Sequence, residues 1–314
     1  MTPASGARRV LLAIPTHRRP DGLARLLAAA AALDVPDDVA LEVMAFDNDP
    51  AGGQALPVIE AARAGGFPFP LACLPVPEKG LCHVRNAIVD TARAAGRFDH
   101  LAMIDDDEWF APDWLRVILG VHEATGADAT SGPFEPVFPP DTPEWIRLCP
   151  LYRSDPNPTG PIDMIWGAGN VVLRMASLAD VPPGQAFDLR FNLLGGEDVE
   201  AFTRLKRQGF RYAWAAGAPI FEEVPPARTR LAWIVKRAFR IGTTGMAVQL
   251  DWDYRGRFGR LRALGFSLAQ LGLYGAKLTR SLAHPERRIA NVCHLVRVTG
   301  KIANLTGLTY REYR

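Results

Sequence analysis

The chain has 314 residues, 48% hydrophobic and 22% charged, enough for one large α/β domain with an appendage or for two smaller domains. Its four cysteines (Cys73, Cys82, Cys149, Cys293) fall at no zinc or redox spacing, which suits a reducing cytoplasm. The net charge of +2 hides an asymmetry, because Arg255 to Arg314 carry twelve Lys or Arg against two acids, whereas the first 254 residues carry 24 against 32.

Val10 to Ile14 reads as a buried strand broken by Pro15, and this run after Arg8-Arg9 is too short for the apolar core of a signal peptide. Leu23, Leu26, Leu27 and Ala30 recur at helical spacing. A second strand, Leu41 to Phe46, ends in the turn cluster Asp47-Asn48-Asp49-Pro50, and a helix follows near Gln54 to Ala64. Leu71 to Val76 is the third strand and Leu81 to about Ala95 the next helix; His100 to Ile104 is the fourth strand, after which Pro112 opens another helix. This βαβα alternation predicts a mostly parallel sheet covered on both faces, whose ligands bind beyond the carboxyl ends of the strands. Thr16, Asp47 and the run Asp105-Asp106-Asp107 stand at such ends and are expected to converge.

The run Ile104-Asp105-Asp106-Asp107-Glu108 is the most informative feature. Consecutive carboxylates repel one another, and oxygen donors at a strand end suit a hard divalent cation that could also hold a diphosphate. The plainer alternative is an acidic turn opening the next helix, the role expected of Glu108. From Phe138 to Pro161 seven prolines among 24 residues predict a loop. Met164 to Arg174 reads as a strand interrupted by Gly167-Ala168-Gly169-Asn170. Gly195-Gly196-Glu197-Asp198 opens a helix that runs to about Gln208, where Gly209 ends it, and Arg211 to Ala215 is a short strand.

The tail differs. Leu231, Ile234, Ala238, Ile241, Gly245 and Val248 step by three and four, as do Leu261, Leu264, Leu268, Leu271, Gly275, Leu278 and Leu282. A third amphipathic segment, Glu286 to Asn304, sets Arg287, Asn291, His294 and Lys301 opposite Ile289, Val292, Cys293 and Val296. The longest uncharged stretch there, 263–276, is short of the roughly twenty residues that a membrane-spanning helix needs. The basic tail is expected to meet an anionic surface, lipid rather than nucleic acid, unless its cations are only a solvated face.

Ile14-Pro15-Thr16 after the first strand, Asp47 after the second, Lys79-Gly80-Leu81 followed by Arg85-Asn86, the Asp105-x-Asp107 cluster and Gly196-Glu197-Asp198 together resemble family two glycosyltransferases of the GT-A fold, over roughly residues 8 to 220. The resemblance implies an α/β, Rossmann-like mixed, mainly parallel sheet with helices on both faces, in a nucleotide-sugar-binding domain at 8–225 followed by a basic helical extension at 226–314. It implies sugar transfer from a nucleotide diphosphate donor to an acceptor hydroxyl, saccharide or lipid-linked, with inversion, in bacterial-type polysaccharide or glycolipid assembly. The expected setting is the cytoplasm or the inner face of the cell membrane.

By the same resemblance Asp107 ligates Mg²⁺ or Mn²⁺, and Asp105 or Asp106 helps hold ribose or metal. Asp47 contacts the nucleoside, and its alternative is a turn-forming residue. Arg85 can pair with base or diphosphate as a planar multi-donor cation, while Asn86 is structural. Thr16 lies on the donor side. Asp198, at a helix N-terminus that keeps a carboxylate ionised, is the expected general base, with Glu197 the next candidate. Gly167, Gly169 and Asn170 bring backbone near the donor sugar, or form a strand bulge. Trp233, Arg237 and Arg240 share one helix face and could cover the diphosphate or an acceptor sugar, or simply snorkel. A sugar nucleotidyltransferase would carry a glycine-rich loop after the first strand, where this chain has Pro15-Thr16-His17-Arg18-Arg19-Pro20. A non-enzymatic surface-binding protein is the other alternative.

Overall fold

In the computed structural model, which describes residues 6–308, the elements run β1 (Arg8–Thr16), α1 (Pro20–Ala31), β2 (Val39–Asp47), α2 (Ala55–Ala64), β3 (Leu71–Pro75), α3 (Leu81–Ala95), β4 (His100–Met103), β5 (Glu108–Phe110), α4 (Trp114–Thr125), β6 (Ala129–Ser131) and β7 (Phe134–Val137). They continue through α5 (Glu144–Arg147), β8 (Gly160–Ile162), β9 (Val171–Arg174), α6 (Glu197–Arg207), β10 (Tyr212–Trp214), β11 (Ile220–Glu223), α7 (Leu231–Trp252), α8 (Gly259–Arg280) and α9 (Pro285–Leu305).

An eight-stranded sheet has the order β3-β2-β1-β4-β9-β6-β10-β8. β1 pairs in parallel with β2 and β4, β2 with β3, and β6 with β10. β9 runs antiparallel between β4 and β6, and β8 is an antiparallel edge. The sheet is thus mixed and mainly parallel. In a smaller sheet, β5 and β11 pair antiparallel. The period of two along β1 sends Val10, Leu12 and Ile14 into one core with Leu23, Leu26, Leu27 and Ala30 of α1 and with Trp114, Leu115, Ile118 and Leu119 of α4. Leu11 and Ala13 on the other face are fully buried as well, so both faces are covered. Each buried Leu or Ile contributes about 1.5–3 kcal/mol relative to exposure.

Three expectations need correction. The helix after Pro112 starts at Trp114, with Pro112 in the turn before it. The strand expected over Met164 to Arg174 is confined to Val171–Arg174. The proline-rich segment holds α5, a 3-10 turn at Pro150–Tyr152 and the start of β8. Such short elements carry too few residues for periodicity to register.

The chain divides into two compact units. The first holds the described residues through Glu135 with Asp155–Asn192 and Leu205–Glu222; the second holds Pro136–Ser154, Leu193–Arg204 and the described residues from Glu223 on. In the second unit Ile234 and Ala238 of α7 and Ile289 and Cys293 of α9 form a core with Ile146, Cys149, Tyr152 and Val224. The α7–α9 crossing is set by two glycines. A Cβ on Gly242 would strike the Arg297 carbonyl, and one on Gly300 would strike that of Phe239. Cys149 and Cys293 are buried with sulfurs 3.6 Å apart and are both free thiols. The polar side of α9 faces α8: the His294 ring stacks on Tyr274 at 4.5 Å, and Asn291 and Lys301 bond Ser281 and Gln270. The apolar stripe read over α8 is not its buried side. Leu261, Leu268 and Leu282 are exposed, and the buried positions are Gly259, Ala263 and Ser267. No helix among the described residues is long and apolar enough to cross a membrane, and the part of the basic tail beyond 308 lies outside those residues.

Candidate active site

The chain reverses sharply after β1, where Arg18 takes a left-handed backbone (φ 56°), a conformation that costs a non-glycine residue about 1 kcal/mol or more. Its guanidinium bonds Asp49 at 2.5 Å. The next residue reaches the end of β4, where one nitrogen of Arg19 lies 2.9 Å from Asp106 and 2.7 Å from Asp107. Burial works to lower the Arg19 pKa, but Asp107 and Asp106 outweigh it and the net shift is upward.

The three aspartates occupy different surroundings. Asp106 is buried with both oxygens engaged. Its Oδ2 accepts from the Thr16 hydroxyl at 2.9 Å and the His17 amide at 3.1 Å, and its Oδ1 accepts from Arg19. Burial pushes the Asp106 pKa up against the pull of Arg19 and of these donors. Asp105 and Asp107 are open to solvent, with side chains 30% and 18% exposed. Asp105 pairs with the buried Arg85 of α3 at 3.2 Å, and Asp107 with Arg19. Alternation along a continuing strand would send Asp105 and Asp107 the same way. The strand ends at Met103, so a turn, with a different guanidinium on each side, sets their directions instead.

Glu108 is not the helix-start acid that the sequence suggested. It opens β5, packs where a Cβ on Gly169 would fall, and accepts from the Asp105 amide at 2.9 Å. Burial pushes its pKa well up, with Asp105, Asp107 and Glu222 adding to the effect. Asp47, buried at the end of β2, accepts from the Asp49 amide at 2.9 Å. Its neighbour Asn48 does unforeseen work, donating to the Val76 and Glu78 carbonyls and accepting from the Gly80 amide. Gly80 sits at φ 123°, and a side chain there would strike Asn192, which itself bonds Lys79 and Cys82. Asn86 ties down the 184–187 loop through Gly184 and Phe187. Asn170 accepts from the Trp114 indole and donates to the Pro133 and Ala218 carbonyls, so its side-chain amide is engaged within the fold.

Among the described residues no group of three or more His, Cys, Asp or Glu side chains is placed to enclose a metal ion. Asp105 and Asp107 offer hard oxygen donors of the kind that bind Mg²⁺ through one or two carboxylates, with phosphate oxygens and water completing the shell. Arg19 already lays positive charge against Asp107. The residues therefore fit a divalent ion completed by a diphosphate, not a self-sufficient cage.

In the second unit Gly195 and Gly196 have φ of 74° and 82° and lie against α7. A Cβ on Gly195 would strike the Arg240 guanidinium and one on Gly196 the Thr244 side chain. α6 then starts with Glu197, Asp198 and Glu200 in its first turn; Glu197 and Glu200 are buried, and Asp198 accepts from the Val199 amide at 2.7 Å. Trp233 stacks on Tyr152 with Arg228 and Arg237 near its ring, whereas Arg240, expected on the same face, is buried beneath the glycine corner.

Residues 12–178 match the glycosyl transferase family 2 model, which is more than half of the chain. The chain is a family 2 glycosyltransferase. The enzyme is 32% identical over 241 residues to the succinoglycan biosynthesis protein ExoM of Rhizobium meliloti (strain 1021), an alignment covering 74% of this chain and 72% of that one. Its fold is similar to a mannosyltransferase, PcManGT from Pyrobaculum calidifontis, solved with GDP-Man and Mn²⁺ (TM-score 0.60, 17% identity, 96% of this chain and 88% of that). It is also similar to S. aureus TarS 1–349 solved with UDP (TM-score 0.53, 15% identity, 96% and 93%). At such identities these likenesses bear on the fold of the glycosyltransferase, which is GT-A. Sequence reasoning missed Arg19, Asn48 and Asn192 in this enzyme. Only Arg19 left a signal, as a cation beside the first strand of a fold with an acidic fourth strand end.

Proposed function

We propose that this glycosyltransferase moves a sugar from a nucleotide diphosphate donor to an acceptor hydroxyl, with inversion, in bacterial polysaccharide or glycolipid assembly. The observation that carries the reading is the divided acid cluster: Asp106 is held inside the fold, while Asp105 and Asp107 face outward between Arg85 and Arg19 at the carboxyl end of β4. The likeness to a succinoglycan biosynthesis protein supports the pathway class.

In this reading Asp47 accepts from the nucleoside, Arg85 and Arg19 oppose the charge of the diphosphate, and Thr16 and Asp106 hold the turn that carries Arg19. A Mg²⁺ or Mn²⁺ ion on Asp107, with Asp105 assisting, would offset the negative charge that develops on the departing nucleoside diphosphate. Asp198 takes the proton of the acceptor hydroxyl as its oxygen bonds to the anomeric carbon. The bond from that carbon to the diphosphate oxygen breaks, its electron pair leaves with the nucleotide, and one displacement inverts the centre. Trp233 and Arg237 offer a ring and a cation to an acceptor sugar, and Arg240 holds the corner that carries Glu197 and Asp198. The enzyme works in the cytoplasm or at the inner face of a membrane.

The test is thermal stabilisation by UDP or GDP. Bound nucleotide raises the melting temperature by mass action, and it should do so only with Mg²⁺ or Mn²⁺ present. Asp107→Asn should abolish the metal effect. Equal stabilisation in a chelator, or an unchanged metal response in the variant, refutes the reading.

A further inference from the structure

Among the tail helices α8 is inside out. α7 and α9 bury their apolar residues, Ile234, Ala238 and Met246 on one and Ile289, Cys293 and Val298 on the other. α8 buries only Gly259, Ala263 and Ser267 and turns its large apolar side chains outward. Phe258, Leu261, Phe266, Leu268, Leu273 and Leu282 are 51–66% exposed, and they make up six of the thirteen exposed large apolar side chains among the described residues. The inward side is settled by α9, through Tyr274 on His294 and Gln270 with Lys301, so the outward side is not a packing face waiting for that helix. Large apolar side chains exposed in such number along one helix mark an interaction surface.

The charge around the patch selects the occupant. From Tyr254 to Pro285 there is no acid, while Arg255, Arg257, Arg260, Arg262, Lys277 and Arg280 are all exposed. A second copy of the chain in a two-fold interface would bring these cations against their own equivalents with no carboxylate in the segment to pair them. Nucleic acid would meet the cations but leave the leucines in water. A helix with Phe and Leu exposed on its outer side and Lys and Arg beside them, too charged to span, lies in the plane of a lipid interface.

We infer that the outer face of α8 is the membrane-docking surface of this enzyme: Leu261, Phe266, Leu268 and Leu273 enter the headgroup–acyl boundary of an anionic leaflet, and the flanking arginines and lysine bind its phosphate headgroups. The inference deepens, and rests on, the proposal of an enzyme that works at a membrane face. The apolar side of α9 belongs to the internal core, and Asn291, His294 and Lys301 of its polar side face α8, so docking falls to α8.

The experiment is co-sedimentation of the full chain with vesicles of phosphatidylcholine alone and of equal parts phosphatidylcholine and phosphatidylglycerol, at low and high salt. Binding is expected to the anionic vesicles and to weaken with salt. Phe266→Glu with Leu268→Glu, and separately Arg260→Glu with Arg262→Glu, should each lower partition roughly tenfold or more. All four side chains are exposed, so the melting temperature should hold. The UDP or GDP response is read on the same samples. Vesicle binding without any nucleotide response keeps the docking surface and overturns the donor reading, whereas an intact nucleotide response with no vesicle binding overturns the docking surface. A solution dimer that dissociates in the Phe266→Glu, Leu268→Glu variant, with no vesicle binding, assigns the face to a second copy and also overturns it.

Discussion

The two ends of the central sheet treat ionisable groups in opposite ways. At the carboxyl ends Asp105 and Asp107 remain partly open and meet Arg85 and Arg19. At the amino ends partly exposed pairs such as Arg8 with Asp38 and Arg9 with Glu42 line the rim, and two imidazoles are buried beside them. His100 opens β4, lies 3.0 Å from a Glu123 oxygen and packs edge-on against His122 of α4, ring centroids 5.0 Å apart, and His122 Nδ1 lies 2.9 Å from the Thr130 hydroxyl in β6. Burial lowers the pKa of both imidazoles, that of His122 to about 3, with the His100 and Arg174 charges adding to the effect on His122 and Asp128 opposing it. The carboxyl end keeps Asp105 and Asp107 charged by pairing them in partial contact with water, whereas the two imidazoles buried at the amino end give charge up. That is the division expected of a sheet whose ligands bind at its carboxyl edge and whose amino edge serves stability.

This contrast can be broken by experiment. If the carboxyl edge serves the donor and proton removal is the task of Asp198, then Asp198→Asn should lose turnover by roughly 10²–10⁴-fold. It should retain the stabilisation by UDP or GDP with metal that reads the sheet edge. Full turnover in a folded variant would move the base to another residue. Next in size is a split within the cluster. Asp106→Ala strands the buried Thr16 hydroxyl and His17 amide and should destabilise by about 2–4 kcal/mol. Asp107→Ala, at a partly exposed pair, should change stability by less than about 1 kcal/mol. Equal losses in denaturant titrations would erase the distinction between the two carboxylates.

The third effect belongs to the amino edge and is read against pH. The unfolded chain binds a proton at His122 near pH 6.5, while the folded chain does so only near pH 3. The unfolded state therefore holds more protons between those values, and stability falls as pH drops through the window, by about 2 kcal/mol at pH 5. His122→Gln keeps a polar atom toward Thr130 but cannot titrate, so its stability should vary less between pH 7 and pH 5. An unchanged slope would place the acid sensitivity elsewhere.

The carboxyl edge was largely legible because strand periodicity and chain order were enough to put Thr16, Asp47 and the aspartate run at carboxyl ends, whatever the side chains did next. The pairing of Asp105 with Arg85 needs the distance between α3 and the end of β4, which periodicity does not carry. Glu108 was misread because a three-residue strand and a first helical turn look alike in so short a span. The α8 stripe was visible as spacing, yet spacing states only that one side differs from the other. The structure instead buries the small residues Gly259, Ala263 and Ser267 and turns Tyr274 and Gln270 to α9. The Gly195–Gly196 corner was recognised as a helix start, while its dependence on α7 follows from the missing Cβ atoms and appears only in three dimensions.

The reciprocal glycines of α7 and α9 have an evolutionary consequence. Because each faces main chain instead of a side chain, the spacing of the two helices is fixed by atoms that every amino acid shares. The surrounding residues are free to drift while the crossing stays where it is. Arg240 and Thr244, which flank Gly242 and lie under the Gly195–Gly196 corner, inherit that fixed reference. A descendant that gains a methyl group at Gly242 or Gly300 must shift an entire helix, whereas one that exchanges Ile for Leu or Val nearby need shift little. In distant relatives with most of this sequence replaced, a glycine near the middle of one long C-terminal helix and another late in the last one should be the surviving trace of this arrangement.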